Sequence, residues 1–330
     1  MISIEVNDIS DQDWNNRLLK STLGSIYHTD EYGQFVKNKG WTPKFLKFID
    51  STGKIVGQLL ASTYSRFQNK QGPSKILRVL PGTKKEFFRW IYGPVIFVPE
   101  KKNEINLALQ KFVQEKNYFV IGSEHPLSKN HFAQINNSLN INNWGTFLIN
   151  LSKDKSTLWK NLDKHSARKN IERSEERGVV VKEIKNEKDL TDYHKLLKET
   201  KTKVGWNVNF EEISALWKSL KPVGFTGFLA KLEEIPVGGI LISHFNKQIF
   251  EWGVGRSELD YSKKLYSQDL LKWKIIEWGK ENNCDYYDLS GVNPSPETDK
   301  ESKIFRYKKK WGGELIQYKM YKSKLRFGYC

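Results

Sequence analysis

The chain has 330 residues, 38% apolar and 13% aromatic, including 11 tryptophans. That composition excludes a disordered chain and a membrane-spanning one, and it supplies core for one large or two medium domains. The formal net charge of +16 excludes no partner class but attracts polyanions, whether nucleic acid, an anionic membrane surface or a phosphate-bearing substrate; a lysine-rich ordinary surface gives the same sign.

The N-terminus, "MISIEVNDISDQDW", has no basic segment leading into an apolar one, so no secretory signal is expected. The cysteines Cys284 and Cys330 lack metal-ligand spacing. A reduced, cytoplasmic protein with no bound metal is expected.

Ser10-Asp11-Gln12-Asp13 predicts a helix start of the capping-box kind. Thr29-Asp30-Glu31 predicts a second helix, with Tyr32, Phe35 and Val36 on its apolar side and Gly40 as its stop. "KFLKFI" and "KIVGQLLAS", joined by "DSTG", read as a hairpin. "RWIYGPVIF" reads as a strand, Ile105, Ala108, Leu109 and Phe112 as a helix face, and "YFVIG" as a closing strand. The second half repeats this order. "GTFLINL" is a strand, Ser156 caps a long charged helix ending near Gly178, and "VVVKEI" is a strand. Helices follow around 188–201 and 209–220, then the strands "FTGFLAKL", "IPVGGILIS" and "KQIFEWGVG". Leu271, Ile275 and Trp278 mark a helix, and "CDYYDLSG" is the strand after it.

"GKIVGQLLAS" (53–62) aligns without gaps to "EIPVGGILIS" (234–243), each on the returning arm of a hairpin. The matching order of elements favours a distant duplication over a chance likeness of two amphipathic hairpins. The first copy carries an insertion with seven basic residues (Arg66, Lys70, Lys75, Arg78, Lys84, Lys85, Arg89) and one acid, Glu86. It reads either as a polar loop or as a basic loop that touches a phosphate backbone.

"IFRYKKKWGGE" (304–314) sets Arg306, Lys308, Lys309 and Lys310 among Phe305, Tyr307 and Trp311. From composition alone these lysines form a solvated helix face. With "DYYDLSGV" before it, the stretch resembles the FemABX family, non-ribosomal peptidyltransferases that add amino acids to peptidoglycan precursors using aminoacyl-tRNA. "HTDEYGQFVKNKGW", "LWKNLDKHSARKNIERSEERGVVV", "LLKETKTKVGW" and "LYSQDLLKWKIIEWGKENNCDYYDLSG" carry the resemblance over nearly the whole chain. No one piece is specific, whereas their order and spacing are.

The resemblance implies a mixed α+β protein of two tandem GNAT-like domains, 1–145 and 146–313, with the terminal strand 314–330 packing back on the first. It implies a functional lysine at Lys308, preceded by Tyr307 in place of the family's Phe. It gives Lys37 and Lys203 contacts with the phosphates of a nucleotide-sugar substrate; Lys203 stands where the family often has Arg, a better bidentate clamp. Asp288 either orients the site or closes a turn, and Trp252 and Tyr266 either line an acceptor groove or pack in the core. The partners implied are aminoacyl-tRNA, as co-substrate in place of any cofactor, and a nucleotide-linked or lipid-linked muropeptide. The helical arm of some family members, a two-helix insertion, is expected to be absent. A competing reading keeps the fold and changes the donor to acyl-CoA, but "RSELDYSKKLYSQDLL" lacks the glycine pair of a pyrophosphate loop. A non-enzymatic RNA-binding module is a third reading, without an RNP, KH or zinc-knuckle pattern to support it.

Overall fold

The computed structural model describes residues 1–65, 86–128, 139–202, 205 and 208–324. Most of the basic insertion (residues 66–85), Lys203 and Cys330 lie outside the described residues, while Glu86 and Arg89 of that insertion are described. In chain order the main elements are β1 (Ser3–Asn7), α1 (Trp14–Leu19), α2 (Asp30–Asn38), β2 (Thr42–Ile49), β3 (Ile55–Ser65), β4 (Glu86–Arg89), β5 (Val95–Ile96), α3 (Lys102–Glu115) and β6 (Phe119–Ser123). Next come β7 (Leu139–Asn150), α4 (Lys155–Asn161), α5 (Lys169–Glu176), β8 (Val179–Glu183), α6 (Glu187–Thr202), α7 (Phe210–Leu220), β9 (Phe225–Leu232), β10 (Ile235–Phe245) and β11 (Gln248–Arg256). The chain closes with α8 (Glu258–Ser262), α9 (Ser267–Glu281), β12 (Tyr286–Val292), α10 (Asp299–Lys309) and β13 (Glu314–Ser323).

Two compact units form: Met1–Trp144 with the chain from Gln317 onward, and Gly145–Ile316. The chain leaves the first unit within β7 and re-enters it within β13, where Met320 pairs with Ser123 of β6. Each unit has the same plan. An antiparallel hairpin (β2/β3, β9/β10) leads to a strand, a helix (α3, α9) crosses over, and the next strand returns parallel: β6 beside β4, and β12 beside β11. Parallel neighbours need such a helical crossover because a tight turn cannot join them. The architecture is the mixed α/β, tandem arrangement that the sequence predicts.

Alternation builds these sheets. In β2 Leu46 and Phe48, two residues apart on one face, join Val56, Leu59, Phe88, Ile105 and Leu109 in the first core, while Phe45 on the other face meets Trp14 edge-on at 5.0 Å. The second core gathers Ile240, Ile242, Ile249, Leu271, Ile275, Tyr287 and Trp311. Helix α9 is buried around most of its circumference, from Ser267 to Trp273 without a break.

Local chemistry departs from the sequence reading in three places. Ser10 does not cap α1; its hydroxyl donates to Asp30 at 2.7 Å, and the helix starts at Trp14. The long helix expected from Ser156 to Gly178 is broken. Asp154, not Ser156, caps its first part, and Asp163 accepts from the amides of His165 and Ser166, restarting it as a π-helical turn (Lys164–Arg168) before α5. The strand expected at 89–97 is divided: Arg89 ends β4, Tyr92 takes a left-handed φ of 56° with its N–H bonded to Ser123 Oγ, and Val95–Ile96 then pairs with β3.

Helix α10, which carries the candidate lysine, is set by both its ends. Thr298 and Glu301 form a reciprocal capping box. At the other end Trp311 is buried, and Gly312 has a φ of 70° with its α-carbon against the Asn161 carbonyl, where a β-carbon would collide. Thr298→Ala is expected to cost about 1 kcal/mol, read as a lower urea midpoint, while Thr298→Ser stays near the native value.

Candidate active site

The second unit contains a crevice that its strand registers define. β11 and β12 pair only from Gln248↔Tyr286 to Phe250↔Asp288, and β11 then continues to Arg256 beside β10. At the point of separation β11 bulges: Leu241 faces Gly253 and Ile242 faces Glu251, so Trp252 is the extra residue. The pairing of β12 with β7 also slips, between Asp288 and Gly291.

Charged side chains fill this crevice. Lys272, on the buried face of α9, is 1% exposed, and its ammonium pairs with Glu251, itself 7% exposed. The same carboxylate oxygen of Glu251 accepts from Tyr287 Oη at 2.8 Å. Burial and the nearby Glu251 charge push the Tyr287 phenol well above its ordinary range, so it stays a donor.

Lys308 enters from α10. Its Nζ donates to the carbonyls of Ser290 (3.0 Å) and Gly291 (2.8 Å). Burial pushes its pKa down to about 8; the Glu251 carboxylate pulls the other way, Lys272 adds to the depression, and Asp288 opposes it. An ammonium has three donors, and two are engaged. Asp288 accepts from Thr146 Oγ1 and, at 2.7 Å, from the amide of Ser290. Tyr307 lies beside this group, partly buried, with the ammonium of Lys310 at 4.5 Å and that of Lys272 at 5.7 Å from its ring. Lys310, half-buried with 11% of its side chain exposed, pairs with Asp269 of α9, whose other oxygen accepts from Asn170 at 3.0 Å.

The expected site residues therefore divide. Lys308, Tyr307 and Asp288 come together, with Lys272, Glu251 and Tyr287, which the sequence reading missed. Trp252 sits on the adjoining bulge; its Nε1 donates to Ser243 Oγ at 3.0 Å and its ring meets Phe225 edge-on at 5.2 Å. Tyr266 is left-handed (φ 57°) just before α9, with the Arg177 guanidinium 5.4 Å from its ring. Lys37 is exposed on α2 of the first unit. Lys310 is paired and half-buried rather than fully solvated, because Asp269 meets it in the first turn of α9.

The start of α9 differs from an open anion cradle. The Ser267 amide donates to Asp260 at 2.9 Å, and Asp260 is fully buried, with Arg256 on its other oxygen. The helix N-terminus already holds a carboxylate of its own chain. Cys284 is buried, and that burial pushes its thiol up to about 11, which removes the thiolate a nucleophile needs. Among the described residues no group of three His, Cys, Asp or Glu is placed to hold a metal ion, and no helix is long and apolar enough to cross a membrane.

Two repeated units, each with an antiparallel hairpin and a pair of parallel strands joined by a crossover helix, define a tandem GNAT fold. The chain is similar in structure to FemX, with a TM-score of 0.67 and 12% identity over 96% of both chains. It is also similar to a tandem GNAT protein from the clavulanic acid biosynthesis pathway (TM-score 0.55, 10% identity, 97% of both chains). A third likeness is to L-PGS from Bacillus licheniformis (TM-score 0.52, 14% identity, 89% of this chain and 91% of that one). No protein-family model and no curated protein matches the chain. At such identities the likeness is one of fold.

The buried ion pair makes a stability prediction. Lys272→Met leaves Glu251 charged and buried and is expected to cost about 3 kcal/mol in chemical denaturation. Adding Glu251→Gln, which keeps an acceptor for Tyr287, should recover a large part of that loss.

Proposed function

We propose that the chain is an aminoacyltransferase that moves an amino acid from aminoacyl-tRNA to an amine of a cell-wall precursor peptide. The observation that carries the reading is Lys308: a lysine held by two carbonyls at the parting of two parallel strands, with one donor left over. The acceptor amine attacks the ester carbonyl of the donor. Its oxygen gathers negative charge, which the third N–H of Lys308 meets in a site already stripped of much water, an effect worth about 3 kcal/mol for one well-placed donor. The carbon–oxygen ester bond then breaks, the ribose oxygen leaves and takes up the proton that the amine loses, and an amide remains. The transfer is sequential, with no covalent enzyme intermediate.

The first turn of α9 supports a donor other than acyl-CoA for this unit. A pyrophosphate there would face Asp260 and Asp269, two carboxylates already paired within the chain. The net charge of +16 suits a polyanionic donor and an acceptor that carries phosphate. Lys37 is assigned to those phosphates, and Lys203 is assigned to them by sequence position alone. Tyr307 orders the lysines around it, Asp288 holds the backbone that Lys308 rests on, and Trp252 and Tyr266 flank the acceptor path. A cytoplasmic location follows from the donor, and the basic surface allows contact with an anionic membrane when the acceptor is lipid-linked.

The test mixes the protein with radiolabelled aminoacyl-tRNA and, in turn, a nucleotide-linked and a lipid-linked muropeptide, with acetyl-CoA in a parallel reaction. Label passing from tRNA to a muropeptide is the expected result, and Lys308→Ala should lower turnover at least a hundredfold. Acetyl transfer with none from tRNA would replace the reading by an acyl-CoA N-acyltransferase. The pH profile has a set sign. Oxyanion stabilisation needs the ammonium, so the Lys308 contribution is full below about pH 8 and is lost as pH rises through it. A limb that instead rose through pH 8 would make Lys308 a base.

A further inference from the structure

Beyond Phe250↔Asp288 no ladder bond joins β11 to β12. Across the gap the hydroxyl of Ser290 donates to the backbone carbonyl of Glu251. Ser290 has a left-handed φ of 68°, a conformation in which glycine is the residue of least strain. All its polar atoms are engaged. Its N–H goes to Asp288 Oδ1 (2.7 Å), its hydroxyl to Glu251, and its carbonyl accepts from Lys308 Nζ (3.0 Å). Glu251 is itself fixed, because its carboxylate holds Lys272 and Tyr287. A run of bonds thus leads from a buried ion pair on β11 and α9, through Ser290, to the ammonium of Lys308.

We infer that Ser290 is the positioning residue for Lys308: its left-handed bulge, pinned to both strands, turns two successive carbonyls toward the ammonium and so fixes the direction of the third N–H. The inference rests on the reading of Lys308 given above. It explains why a serine occupies a bulge that favours glycine, since glycine would free the backbone and lose the bridge to Glu251. The charged groups around the Lys308 ammonium are Glu251 from β11, Lys272 from α9 and Asp288 from β12. None of them is altered by a change at 290, so an effect there reports on position rather than on charge.

The test uses Ser290→Gly, which relieves the left-handed strain, and Ser290→Ala, which removes only the bridge. Two readouts are taken. The first is the rate at which acetic anhydride labels Lys308, followed by mass spectrometry across pH, which needs no substrate. In the native protein a midpoint near 8 is expected. In both variants the released side chain reaches water, and the midpoint should rise by about one unit toward the ordinary lysine value. The second is transfer from aminoacyl-tRNA: kcat should fall about tenfold with KM unchanged, and the alkaline limb should move with the labelling midpoint. A native midpoint and native kcat in both variants would overturn the inference and leave Ser290 as a structural bridge alone, visible only in thermal stability. If the native protein transfers nothing from tRNA, the proposed reaction fails, while the labelling midpoints still decide the role of Ser290.

Discussion

The ion pair between Lys272 and Glu251 is the constraint around which the second unit is arranged. A charge carried out of water costs several kcal/mol unless a partner and hydrogen bonds surround it. Glu251 meets that condition with Lys272 and Tyr287, and the rest follows from keeping it met. β11 must bulge at Trp252 as it leaves β12, α9 must be buried on the side that bears Lys272, and Tyr287 must face inward. The crevice is a polar interior with defined charges, and a lysine placed beside it has its basicity lowered by burial and by Lys272.

The first unit shares part of that arrangement. It too has a buried carboxylate just past its returning strand: Glu124, 2% exposed, accepts from Tyr321 Oη at 2.5 Å. The lysine near it, Lys102 at the start of α3, makes no hydrogen bond to it, and burial lowers its basicity. In both units a buried acid accepts from a tyrosine, and in the second Lys272 is paired with that acid as well. One plan has thus produced two polar interiors.

Much of this was legible in the sequence because amphipathic periodicity carries it. The hairpins, the crossover helices and the repeat were read from apolar spacing. What failed was local. Asp163 interrupts a charged stretch that looks helical throughout, and an Asp three residues before Ser166 was the available sign of a restart. Lys308 could be singled out only through resemblance, since three consecutive lysines look alike until α10 turns one to the Ser290 carbonyl and another to Asp269. Lys272 and Glu251 escaped because a lysine inside "LLKWKIIEW" reads as a solvated face. Its burial follows from α9 being enclosed nearly all round, which is a tertiary fact.

Asp260 has a consequence for how such a protein could change over time. Its carboxylate joins the Ser267 amide to the Arg256 side chain inside the fold. Reopening that helix end to a phosphate by deleting the acid would strand a buried amide and a guanidinium together, so a single substitution meets a stability loss before any new ligand can compensate. At least Asp260 and Arg256 would have to change together. The filled cradle therefore acts as a ratchet, easy to enter by gaining one acid and hard to leave by losing it.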